Sequence, residues 1–98
     1  MVRFSWRSSR NNPDIVVSKA TLEFSFYYRE NCHLCESMRL AMIKLKRVVD
    51  FSWIEIDIDR DVDLIRLYDS QVPVLSYQGQ EICHHFIDEQ AIRRLLTA

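Results

Sequence analysis

A chain of 98 residues holds one domain with a single modest core. Hydrophobic residues make up 48% and charged residues 28%, which excludes a disordered chain. A formal net charge of −1 leaves no electrostatic footprint for nucleic acid or acidic lipid, and no apolar run is long enough to span a bilayer.

Residues 1–19 read as a flexible N-terminal tail and residues 20–98 as the folded domain. The tail mixes Arg, Ser and Asn, contains Pro13, and has only Ile15-Val16-Val17 as apolar content, a run able to add to a sheet edge. Arg3, Arg7 and Arg10 stand in it without the continuous apolar stretch of a secretory signal. Three cysteines are too few, and odd in number, for a disulfide-stapled secreted scaffold. A reducing, cytoplasmic setting follows as the default.

The first strand is Leu22-Glu23-Phe24-Ser25-Phe26-Tyr27-Tyr28, alternating and then aromatic. Asn31, a favoured N-cap residue, places Cys32 in the first turn of a helix. Leu34, Met38, Ala41, Met42, Leu45, Val48 and Val49 then mark one buried helical stripe. A second strand covers Phe51 to Ile58, and a short helix runs from about Arg60 to Asp69 with Val62, Ile65 and Tyr68 inward. Val72-Pro73-Val74-Leu75-Ser76-Tyr77 and Glu81 to Phe86 form a hairpin around Gln78-Gly79-Gln80. Asp88 caps a last helix, Glu89 to about Thr97, with Ile87 and Ile92 spaced for a hydrophobic staple. The order β-α-β-α-β-β-α makes the first two strands parallel and the last two antiparallel, an α/β fold with a four-stranded mixed sheet.

Cys32-His33-Leu34-Cys35 sits where a strand ends and a helix begins, the setting that favours redox over metal chemistry for a Cys-x-x-Cys. Exchange proceeds through the thiolate, which the free N–H groups and positive dipole end of a helix stabilise. Cys32 is therefore the expected nucleophile and Cys35 the resolving thiol. His33, when protonated, and Arg29 add positive charge nearby.

Element order, the aromatic strand leading into Cys-x-x-Cys, and Val72-Pro73 before a hairpin together resemble the thioredoxin superfamily. The compact layout resembles its glutaredoxin branch. Tyr28-Arg29-Glu30-Asn31-Cys32-His33-Leu34-Cys35 and Ile56-Asp57-Ile58-Asp59 resemble small glutaredoxin-like proteins with a Cys-His-Leu-Cys site. The resemblance implies thiol-disulfide oxidoreductase activity in cell redox homeostasis. The implied substrate is a disulfide-bearing protein or a small thiol, and a monomer without a bound cofactor, nucleic acid or membrane is expected.

It also implies that Pro73 is cis and packs beside the cysteines, with the backbone of Val72 pairing to a substrate chain; Leu34 belongs to the same substrate-facing group. Glutathione is the small thiol that the glutaredoxin branch suggests. Arg29 stands at the spacing of the lysine that meets a glutathione carboxylate there, and could do so bidentately. The Gly-Gly turn that receives the γ-glutamyl end is replaced by His84-His85-Phe86-Ile87-Asp88-Glu89, which hinders close backbone approach.

The alternative is a non-catalytic thioredoxin-fold binding module, or a zinc or iron-sulfur protein. Cys83, His84, His85 and His33 could complete a Cys/His site in principle. Strand alternation sends Cys83 and His84 to opposite faces, however, and the last strand lies away from the first. Cys83 reads more simply as a half-buried strand residue, and His84, between Ile82 and Phe86 on one face, as a packed, hydrogen-bonded one. Glu55, Asp57, Asp59, Asp61 and Asp63 invite a calcium reading, but an EF-hand counted from Asp57 needs Gly and Glu where Val62 and Tyr68 stand.

Overall fold

The computed structural model describes residues 22–97; the tail, with its Arg residues and the Ile15-Val16-Val17 run, lies outside the described residues. The elements are β1 (Leu22–Tyr28), α1 (His33–Leu45), β2 (Phe51–Asp57), a 3-10 turn (Ile58–Arg60), α2 (Val62–Tyr68), β3 (Val74–Tyr77), β4 (Gln80–His84) and α3 (Glu89–Thr97). The sheet order is β2-β1-β3-β4, with β1 and β2 parallel and the other two pairings antiparallel.

Alternation along β1 sorts the layers. Phe24 and Phe26 are fully buried in a cluster with Cys35, Met38, Met42 and Leu45 of α1, Phe51, Leu75, and Ile92 of α3. Tyr27, on the opposite face, packs on Tyr68 of α2, ring centroids 4.6 Å apart. Helices α1 and α3 thus cover one face of the sheet and α2 the other.

Two members of the acidic run, Asp57 and Asp61, serve local structure. Asp57 accepts from the Asp59 N–H at 3.0 Å, and Asp61 caps α2 by accepting from the Asp63 N–H at 2.8 Å. Asp88 caps α3 in the same way through Ala91 at 3.0 Å. Gln78 and Gly79 form a two-residue hairpin loop, both with positive φ (51° and 82°), as a type I′ turn requires.

Three expectations need correction. The buried stripe of α1 is shorter than its periodicity suggests. The helix ends at Leu45, where Arg47 and Val48 turn back onto the carbonyls of Lys44 and Leu45, and Val48 is 70% exposed. Val62 likewise lies on the outer side of α2, 64% exposed, because it is the first residue of a two-turn helix that begins later than expected. The face of His84 also changes. A register shift between Leu75 and Ser76 inserts Ile82 as an extra residue in β4, so Ile82 and Cys83 both pack against the core. His84 points outward instead, hydrogen-bonded to Glu81 at 2.6 Å.

Candidate active site

The chain turns sharply between β1 and α1. Asn31 takes a left-handed φ of 57°, which asparagine tolerates better than most residues, and Cys32 follows in an extended conformation. This displaces the expected cap by one residue: Cys32, not Asn31, is the N-cap. Its Sγ accepts from the Cys35 N–H at 3.0 Å, the third residue of the helix, in the place usually taken by a Ser or Asp oxygen. The nucleophile candidate therefore sits directly on the open N–H groups of α1 rather than one step inside the helix.

Cys32 and Cys35 are joined as a disulfide, with Cα atoms 5.1 Å apart. Cys35 is buried in the core cluster, whereas Cys32 packs only partly against it. His33 is exposed as the first residue of α1, and Leu34 is 37% exposed beside it. A shielded sulfur next to an accessible one suits a resolving and an attacking thiol.

Arg29 leads into this loop, but its guanidinium is engaged. Nη2 donates to Asp59 Oδ1 at 2.8 Å and Nε to both Asp59 oxygens, while Nη1 donates to Asp69 Oδ1 at 2.7 Å. The Asp59 bonds, then those to Asp69, raise the Arg29 pKa further above its ordinary value, and Arg29 in turn holds the Asp59 carboxyl below its own. This pairing links the start of the Cys-x-x-Cys loop to Asp69, three residues ahead of Val72.

Val72-Pro73 is a cis peptide bond; Pro73 is fully buried and Val72 half-buried against the core. Gln71 and Val72 both donate their N–H to the Tyr68 carbonyl, at 2.8 and 3.1 Å. One of the two backbone groups of Val72 thus already has an internal partner. On the other flank, the His85 N–H donates to the Pro73 carbonyl at 2.8 Å and its Nε2 bonds the Ser70 carbonyl at 2.9 Å.

Two features escaped sequence reasoning. The carboxylates facing Arg29 lie 30 and 40 residues away in the chain, and no local pattern marks them. The hold of His85 on the Ser70–Pro73 segment is the other; its left-handed φ of 65° has at most a weak sequence signal, the tolerance of histidine for that region. Among the described residues, no group of three or more His, Cys, Asp or Glu side chains is arranged to hold a metal ion. Cys83 is not part of the disulfide, and burial pushes its thiol pKa up.

A mixed sheet with helices on both faces, a cysteine pair opening the first helix and a proline loop entering the hairpin define a thioredoxin fold, and solved structures agree. A single-substitution mutant thioredoxin from Halobacterium salinarum shares it at TM-score 0.51 and 24% identity, covering 81% of this chain and 74% of that one. Residues 23–97 match the family model Glutaredoxin-like domain (DUF836), and the chain belongs to that family. Protein Ne2328 from Nitrosomonas europaea, solved in solution, is 34% identical, covering 83% of this chain and 98% of that one at TM-score 0.71. Protein XcR50 from X. campestris is 29% identical, with 76% and 95% covered and a TM-score of 0.56. No curated protein matches the chain.

Proposed function

We propose that this protein is a thiol-disulfide oxidoreductase acting through Cys32 and Cys35. The observation that carries the reading is Cys32 as N-cap of α1, with its sulfur on the Cys35 N–H and its partner cysteine buried. In the reduced protein the Cys32 thiolate attacks one sulfur of a substrate disulfide. A Cys32–substrate disulfide forms and the first substrate sulfur leaves as a thiolate that takes up a proton. Cys35 then loses its proton and attacks Cys32 Sγ, closing the Cys32–Cys35 disulfide and releasing the second substrate thiol. Two electrons pass from the dithiol to the substrate, and a thiol reductant returns the pair to its starting state.

The substrate class is a disulfide-bearing protein or small thiol compound, handled by a monomer in a reducing, cytoplasmic setting. The engagement of Arg29 with Asp59 and Asp69 argues against glutathione recognition through that residue. A glutathione carboxylate would have to displace two carboxylates already at 2.7 and 2.8 Å. Leu34, exposed beside the pair, and the half-buried Val72 supply the substrate-facing surface in this reading, Pro73 itself being buried.

Trapping tests it. Cys35→Ser should accumulate mixed disulfides with substrate, and Cys32→Ser should capture none. Equal capture by both variants overturns the roles. Stoichiometric zinc or iron in freshly purified protein would favour the binding-module alternative instead.

A further inference from the structure

We propose that His85 is a positioning residue of this site, holding the Val72–Pro73 loop in the shape that meets substrate; the inference rests on the redox reading above. The loop from Ser70 to Pro73 carries no regular structure between α2 and β3, yet it is gripped at both ends by one residue of a distant segment. His85 Nε2 bonds the Ser70 carbonyl at 2.9 Å and the His85 N–H donates to the Pro73 carbonyl at 2.8 Å. Because a carbonyl can only accept, Nε2 carries the proton in this contact.

The backbone at His85 is bent for the purpose. Its φ is 65°, and the Phe86 N–H donates to the His84 carbonyl at 2.7 Å across it. A hydrogen bond spanning a single residue of positive φ is the rare and strained kind of γ-turn. Strain of this sort persists only where surrounding contacts over-determine it, and it concentrates at functional sites. Here the over-determining contacts are the two bonds to the proline loop. An extended residue at 85 would continue β4 past the loop and lose the paired reach to Ser70 and Pro73.

The same four residues are held from the other side, since Gln71 and Val72 both donate to the Tyr68 carbonyl. The tether therefore fixes one flank of a segment whose other flank is fixed by α2. Val72 lies between the two. Removing the imidazole should free the segment without touching either cysteine.

The test compares His85→Gly, which accepts the positive φ and keeps the backbone bond, with His85→Asn, which accepts it and keeps a side-chain donor. Amide hydrogen exchange is measured at Gln71 and Val72, and reduction of a synthetic peptide disulfide is followed as KM and kcat. In His85→Gly, exchange at these two amides and KM should each rise about three- to tenfold, the scale of one lost hydrogen bond. The pH profile of Cys32 alkylation should stay unchanged, and His85→Asn should recover a good part of both effects. Unchanged amide exchange in His85→Gly, or equal impairment of the two variants, overturns the tether. A wild-type protein that reduces no disulfide defeats the redox reading separately, while amide exchange still judges the tether.

Discussion

At Cys32 a side chain does work that the backbone pattern assigns to its neighbour. Asparagine is both a good N-cap and a good left-handed residue, and the sequence cannot say which property is used. The structure uses the second, and the sulfur becomes the cap. Cys32 and Cys83 should consequently differ in reactivity once the disulfide is reduced. Iodoacetamide near neutral pH should modify Cys32 well before Cys83, whose thiol burial keeps protonated. Mass spectrometry of partly alkylated protein reads the order, and faster labelling of Cys83 would contradict the site as described. Arg29 gives a second prediction at this scale. Arg29→Gln should lower the thermal midpoint by releasing Asp59 and Asp69, while leaving KM for a glutathione mixed disulfide within about threefold. A loss of about tenfold, expected for a charge-assisted contact to the ligand, would restore the glutathione role.

At the scale of elements, most of the fold was legible because each element carries its own local signal. β1, the hairpin loop and the Asp88 cap fall where alternation and turn and capping chemistry place them, and α1 does so apart from its shifted cap and earlier end. What escaped depends on pairing between segments. The inserted Ile82 turns His84 outward, yet the sequence Glu81-Ile82-Cys83-His84 alternates no differently from a regular strand. The same holds for the Val72 N–H, whose engagement with Tyr68 follows from how α2 meets β3. The hairpin offers a direct test. Gln78 and Gly79 both have positive φ, and asparagine is favoured over glutamine at the first of these positions. Gln78→Asn should raise stability by a few tenths of a kcal/mol to about 1 kcal/mol in urea unfolding. Phe26→Ala, removing a fully buried ring between α1 and the sheet, should cost about 3–5 kcal/mol. A loss below about 1 kcal/mol would mean that α1 is not seated on β1 as described.

The whole molecule is joined across its layers by arginine–carboxylate groups as well as by its core. Arg39 of α1 donates to Glu55 of β2 at 3.0 Å and to Glu36 at 2.8 Å, and lies over the Phe26 and Tyr28 rings. Partial burial pushes the Glu55 pKa up, but the bonds from Arg39 and Trp53 outweigh it and leave the carboxyl below its ordinary range. Asp59 is lowered by Arg29. With folded values below unfolded ones, these groups stabilise the fold above the ordinary values of 4.5 and 3.8. Their contribution is lost as pH falls through the lower folded values. The share of unfolding free energy that these two carboxyls supply should therefore decline progressively below about pH 4.5. Glu55→Gln combined with Asp59→Asn should flatten that decline, and an unchanged slope would assign acid sensitivity elsewhere. None of these cross-layer pairs was legible in sequence, where the acidic run shows charge without its partners.

The placement of β2 has a consequence for solubility. Among the described residues it is an edge strand seven residues long, with Ile54 47% exposed and Glu55 and Asp57 spaced along it. Their charge acts as a gatekeeper against another chain pairing along that edge. Acid removes it. The protein should then self-associate by intermolecular strand addition, scattering light more strongly at higher protein concentration below about pH 4, and Ile54→Lys should suppress the effect.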